Sequence, residues 1–400
     1  MPTTAAKRPP VWFLYSVTGV GILANTTITP NIPDVLSDLG RSDGSAGLLV
    51  AAGASPAIFI APVIGILADR YGRKRVLLPC LWVFALGAIL GALAPTFNLL
   101  IAARLLQGAG GAGLINLALV LIADNWEGVE RTRLIGRNSA VLTTALALLP
   151  SVSGVVAELT SWRVSVAVGL VALPVAGVGM VVLPDVQPGP ATTVGQQLRG
   201  AAEAVRNPVL LFVFASGFLL FVVIFGVFLT ALPVHLEEQY GLGPAARGLV
   251  LSVPAIGATI AAFNLGRIRG VVALRLLLSA SSFFIAVAAF GVAAAPTLLL
   301  VLVAMLLYGF GDGSLIPALQ DVASSIPRAD QRASVLGAWV VSVRAGQTVG
   351  PLGAALLFAT YSTEVAMIVG ASIFVVVGLL FLFGPIDDAA TADRAGTVAP

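Results

Sequence analysis

Charge is scarce in this sequence: only 10% of its 400 residues are Asp, Glu, Lys or Arg, against roughly 25% in a soluble domain. There is one cysteine, Cys80, and one histidine, His235, so an internal disulfide is excluded and no Cys–His cluster exists to hold a metal. The chain has no G-x-x-x-x-G-K-[ST] loop, no H-E-x-x-H pair and no nucleophile elbow. ATP-driven pumping by this chain and hydrolysis therefore lack the groups they need. The expectation is a protein that is not an enzyme and uses neither metal nor cofactor.

What fills the space is apolar. Hydrophobic residues make up 58% of the chain and the mean hydropathy is +1.00. Crossing a bilayer takes about 20 mostly apolar residues, and twelve such runs lie between Val11 and Gly384. The fold class is all-α and integral to the membrane. The net charge of +3 is spread over short loops, with no basic stripe, which argues against a nucleic-acid partner. If alternate loops face the cytoplasm, seventeen Lys and Arg fall there, three (Arg41, Arg163 and Arg247) fall outside, and Arg104 and Arg344 lie within spans. Lys and Arg stay on the cytoplasmic side. This places both termini in the cytoplasm and the chain, multi-pass, in the inner (cytoplasmic) membrane. The run after Lys7 and Arg8 is too long for a secretory signal and reads as a retained first helix.

A shift of 201 residues superimposes two parts of the chain without gaps, setting Gly108 on Gly309, Gly110 on Gly311 and Pro150 on Pro351. Each part holds six spans, an even number, so both copies enter from one side and the repeat is parallel. The expected boundaries are a six-helix bundle over 1–183, a cytoplasmic linker over 184–208 rich in proline and glycine, a second bundle over 209–384, and a cytoplasmic tail over 385–400.

Between the second and third runs lies Gly65-Ile66-Leu67-Ala68-Asp69-Arg70-Tyr71-Gly72-Arg73-Lys74-Arg75. It closely resembles the G-x-L-A-D-R-x-G-R-K-R loop between helices 2 and 3 of the major facilitator superfamily, with Gly65, Asp69, Arg70, Gly72 and Arg73 in register. The resemblance is greatest to the twelve-helix drug:proton antiporters and implies alternating access by two parallel six-helix repeats. It also implies that Asp69 clamps the inner end of the eleventh helix and that Arg73 bridges to an acidic residue ending the fourth, here Asp124. Gly65 and Gly72 suit close packing and a tight turn. A purely topological role for the loop's cations is the plainer alternative.

A few buried polar residues are candidates for chemistry. Arg104 lies about 9 Å into the fourth helix, and Arg104-Leu105-Leu106-Gln107-Gly108 resembles the family's R-x-x-Q-G motif, which implies proton handling. The alternative is a structural arginine bonded to carbonyls of neighbouring helices. Gly108, Gly110 and Gly113 spell G-x-G-x-x-G without a preceding strand, so close helix packing is the better reading. Asp312 and Arg344 lie at similar depth on the tenth and eleventh helices, at repeat positions held by Gly111 and Thr143. They are expected to pair, with Asp312 as a protonatable carboxylate or substrate counter-ion held by Arg344, or as one half of a permanent salt bridge. Asn25, Gln107, Asn116, Thr230 and Tyr308 fall on helices that line the family's central cavity, which makes them candidate substrate contacts. Pro150 and Gly154, with Gly346, Gly350 and Pro351, match parts of the antiporter bend-and-packing pattern on the fifth and eleventh helices. His235, near Glu237 and Glu238, is expected to be solvated rather than a sensor or ligand.

The leading expectation is proton-coupled efflux of a small amphipathic or apolar compound, driven by the proton gradient, from a protein functional as a monomer. Its partners are the substrate, protons and the lipid bilayer. Two alternatives are a proton-coupled importer or uniporter of a small metabolite or organic anion, and a non-transporting sensor or scaffold.

Overall fold

The computed structural model describes residues 8–184, 206–326 and 332–384. The expected tail, and all but the ends of the expected linker, lie outside the described residues. The first six long helices are α1 (Val11–Asp38), α2 (Asp43–Tyr71), α3 (Arg73–Ala92), α4 (Phe97–Asn125), α5 (Gly128–Leu159) and α6 (Trp162–Val182). The next three are α7 (Pro208–Tyr240), α8 (Pro244–Arg269) and α9 (Leu274–Ala293). The last are α10 (Leu298–Ser325), α11 (Arg332–Thr360) and α12 (Thr363–Phe383). Among the described residues, eleven helices are long and apolar enough to span a membrane. The other, α11, has the length but is diluted by Arg344, Gln347, Thr348 and Pro351.

The ends of these helices are set by residues that satisfy orphan backbone amides. The Thr96 side chain accepts from Leu99 N–H before α4, and Asn207 accepts from Val209 N–H before α7; such caps are worth about 1 kcal/mol each. Breaks within spans carry their own partners. Where α1 loosens at Thr27–Asn31, Thr27 Oγ1 donates to Leu23 O, Thr29 Oγ1 to Asn25 O and Asn31 Nδ2 to Thr27 O. An apolar solvent leaves the freed carbonyls no other donors.

The chain forms two compact units, 1–194 with 241–249, and 195–240 with 250–400. In the first, α3 packs on α4 and α6, α2 on α4, and α1 on α5; in the second, α9 packs on α10 and α12, α8 on α10, and α7 on α11. These are the same pairings six helices on. The 201-residue shift carries individual contacts as well. A Cβ on Gly108 would overlap the Gly53 carbonyl, and one on Gly309 the Pro254 carbonyl; Gly110 lies against Cys80 and Phe84, Gly311 against Ser281 and Ile285. With Gly113 against Ile64, the G-x-G-x-x-G stretch is a helix-packing face, where small residues let backbones approach.

Two glycines of the α2–α3 connection behave differently. Gly72 has φ +93°, which favours glycine, and turns α2 into α3. Gly65 has nothing within 4 Å of where a Cβ would stand, so the close packing expected of it is not made.

Candidate functional site

Charge buried in a helical membrane protein needs partners, and the two arginines inside spans meet that need differently. Arg104 is 2% exposed. It donates from Nη1 to Ala24 O and to Gln107 Oε1 (2.7 Å), from Nη2 to Asn25 Oδ1 (2.9 Å) and from Nε to Leu49 O (3.4 Å). Gly53 leaves room for the guanidinium, since a Cβ there would overlap it. Arg104 thus clamps α1, α2 and α4 together through these bonds. Asn25 and Gln107 serve that clamp, and Gln107 Nε2 is buried with no hydrogen-bond partner.

In the second unit the expected pair does not form. No ion pair joins Asp312 to Arg344 among the described residues. Arg344 Nη1 instead donates to Gln347 Oε1 at 2.9 Å. Gln347 lies within one turn of Arg344 and competes as the near, flexible acceptor, whereas Asp312 is on another helix. Among the described residues, Asp312 Oδ1 is buried without a hydrogen-bond partner. One turn before it, Tyr308 stacks on Phe228 of α7, centroids 3.8 Å apart and planes at 25°.

Phe228 sits where α7 turns from α-helix into a π-helical stretch, Ile224–Ala231. Thr230 is fully buried, and its hydroxyl donates to Phe225 O five residues back at 2.7 Å; it serves the wide helix turn. Such stretches recur at functional sites. Opposite, α11 approaches so closely that Gly346 abuts Phe218 O and Gly350 abuts Val222 O, while Gly226 of α7 abuts Gly350 O. Pro351 is buried next to Gly350. Asn116 is exposed. On α5, Gly154 abuts the Pro244 carbonyl and the Pro150 carbonyl abuts Gly248, contacts inside the first unit because that unit includes 241–249.

The α2–α3 connection closes as an ionic knot. Arg73 pairs with Asp69 through Nη1 and with Asp124 of α4 through Nε, the latter at 3.1 Å. Arg70 stays exposed, its guanidinium 5.5 Å from the Tyr71 ring centroid. In the second unit Arg269 pairs with Asp321 at 3.7 Å.

Several residues were read differently, or not at all, from the sequence. Arg247, expected in a loop, is 1% exposed and pairs with Asp34, 213 positions away. His235 is 2% exposed, not solvated. Its Nδ1 lies 3.0 Å from Thr363 Oγ1, which also lies 3.0 Å from Glu238 Oε2. Glu364 lies 3.8 Å from the same nitrogen. Phe228 left no mark in the sequence beyond being aromatic. Gln347 did leave one, because Arg344-x-x-Gln347 has the spacing of Arg104-x-x-Gln107.

Among known proteins, the sequence profile of the Major Facilitator Superfamily matches residues 14–341 and, in an overlapping alignment, 224–398. Multidrug resistance protein 3 of Bacillus subtilis (strain 168) is 32% identical over 171 residues, 41% of this chain and 32% of that protein. A chloramphenicol resistance protein of Streptomyces lividans is 31% identical over 217 residues, 53% of this chain and 54% of that one. The matched stretches therefore span about a third and about a half of those relatives' own lengths. The solved structure of the nucleoside transporter NupG superimposes with a TM-score of 0.78 over 93% of this chain and 98% of that chain at 14% identity, a likeness of fold.

Proposed function

The chain belongs to the Major Facilitator Superfamily, a multi-pass membrane protein, and from that premise we propose that it expels a small amphipathic or apolar compound in exchange for protons by alternating access. The inner membrane, with both termini in the cytoplasm, is the location that the distribution of Lys and Arg supports. The observation that carries the reading is Asp312. A carboxylate inside a span, with a buried oxygen that has no hydrogen-bond partner among the described residues, is the kind of group that takes up and releases protons in membrane transporters. Tyr308 and Phe228 beside it supply an apolar, aromatic wall. Resistance and export proteins among the relatives support efflux as the direction.

An anion importer would draw on Arg104 and Arg344 together, but Arg104 has its donors committed to α1, α2 and α4. A scaffold gains nothing from a buried carboxylate oxygen left without a partner among the described residues. The Arg73–Asp69–Asp124 knot would act in this scheme as a latch on the cytoplasmic ends of α2, α3 and α4.

The deciding experiment is reconstitution of the full chain in proteoliposomes with an internal pH dye. Lipophilic cations, neutral drugs, sugars and organic anions are scanned for substrate-induced proton movement. Efflux coupling predicts proton release from the lumen with amphipathic compounds, abolished in Asp312→Asn. Full transport with an unchanged pH profile in that variant would remove Asp312 from the coupling path.

A further inference from the structure

The second unit holds two opposite charges that do not pair with each other. Asp312 is about 21 Å from the start of α10 and Arg344 about 24 Å from the end of α11, at 1.5 Å per residue, on helices that pack together. Asp312 Oδ1 is buried with no hydrogen-bond partner. The Arg344 guanidinium makes a single hydrogen bond among the described residues, through Nη1 to Gln347. Arg104, by contrast, has four acceptors from three helices. In the first repeat the positions equivalent to Asp312 and Arg344 are Gly111 and Thr143, so the repeated architecture does not itself require either charge.

Resting on the efflux reading above, we infer that α10 and α11 form a two-pole site for zwitterionic substrates: Asp312 takes a basic amine, and Arg344 with Gln347 takes a carboxylate. A guanidinium with free donors suits a carboxylate, which it binds through two parallel N–H bonds. A cation alone would answer Asp312 and leave Arg344 uncompensated; an anion alone would do the reverse. In a medium that exacts a penalty for every unpaired charge, only a ligand carrying both signs satisfies both poles, and discrimination follows from the pole left unmatched.

Charge balance gives a second consequence. When the amine reaches Asp312, the carboxyl proton leaves, and on return a proton restores the acid. A zwitterion has no net charge, so its exchange for one proton moves one net charge across the membrane. Exchange of a monovalent cation for one proton moves none.

The test uses one aromatic scaffold in three charge forms: ciprofloxacin as the zwitterion, its methyl ester as the cation and its N-acetyl derivative as the anion. Binding to the purified full chain is measured by equilibrium dialysis, and proton movement in proteoliposomes is measured with potassium and valinomycin setting the potential. The zwitterion should bind at least about ten-fold tighter than either relative, and its exchange, unlike the ester's, should respond to the imposed potential. Arg344→Gln should reduce zwitterion binding to the ester's level and leave the ester unchanged; Asp312→Asn should reduce it to the N-acetyl level. Arg344→Lys, which keeps the charge, should retain part of the preference, and it decides the matter should Arg344→Gln fail to fold. Equal binding of ester and zwitterion, or a preference intact in both Arg344 variants, overturns the two-pole site while proton movement with the ester leaves the efflux reading standing. Silence with all three probes and with lipophilic cations overturns both.

Discussion

Arg104 and Asp312 are both charges inside spans, yet their surroundings assign them opposite work. Arg104 is saturated by Ala24, Asn25, Leu49 and Gln107, so its removal strands several buried acceptors at about 1–3 kcal/mol each. Arg104→Gln is expected to lower the melting temperature in detergent markedly, while any protein that survives reconstitution keeps the wild-type pH profile of transport. A changed profile at unchanged stability would return Arg104 to proton handling. The His235 cluster makes a similar argument. Thr363 Oγ1 bridges Nδ1 of the buried His235 and Glu238, so Thr363→Val takes a hydrogen-bond partner from a buried imidazole. Thermal unfolding should register a loss of about 1–3 kcal/mol, and Thr363→Ser should recover most of it.

At the scale of helices, close crossings depend on the absence of side chains. Gly309 against Pro254 and Gly350 against Val222 bring backbones together, and neither contact has a flexible side chain that could give way. Gly350→Leu and Gly309→Leu are expected to abolish accumulation of folded protein, read by size-exclusion profiles in detergent. Gly65→Ala is the contrast. It meets nothing within 4 Å and removes a helix-interior glycine, so its melting temperature should hold or rise, by up to about 1 kcal/mol of stability. The π-helical stretch of α7 belongs to this scale too. It widens the helix where Gly226 meets Gly350 and presents Phe228 to Tyr308, an offset that no apolar run of residues announces.

For the whole molecule, the orientation is open to direct test. In a Cys80→Ser background, Ser42→Cys should react with an impermeant maleimide from outside intact cells, and Lys74→Cys only after permeabilisation; the reverse pattern would invert the topology. The twelve long helices, the 201-residue repeat and the Gly72 turn were legible in the sequence, because each rests on local properties: apolar length, small residues at helix contacts, and a backbone conformation that favours glycine. The Arg73–Asp124 bridge was legible through resemblance to a family loop, and 51 positions separate its partners. What the sequence could not settle was which distant groups meet. It pointed to an Asp312–Arg344 pair that Gln347 pre-empts, put Arg247 in a loop and His235 in water, and left Phe228 unmarked. Apolar period and length act along one helix and survive in any arrangement of the spans. The pairing of charges and the stacking of rings depend on how helices turn toward one another, and only the tertiary structure decides that.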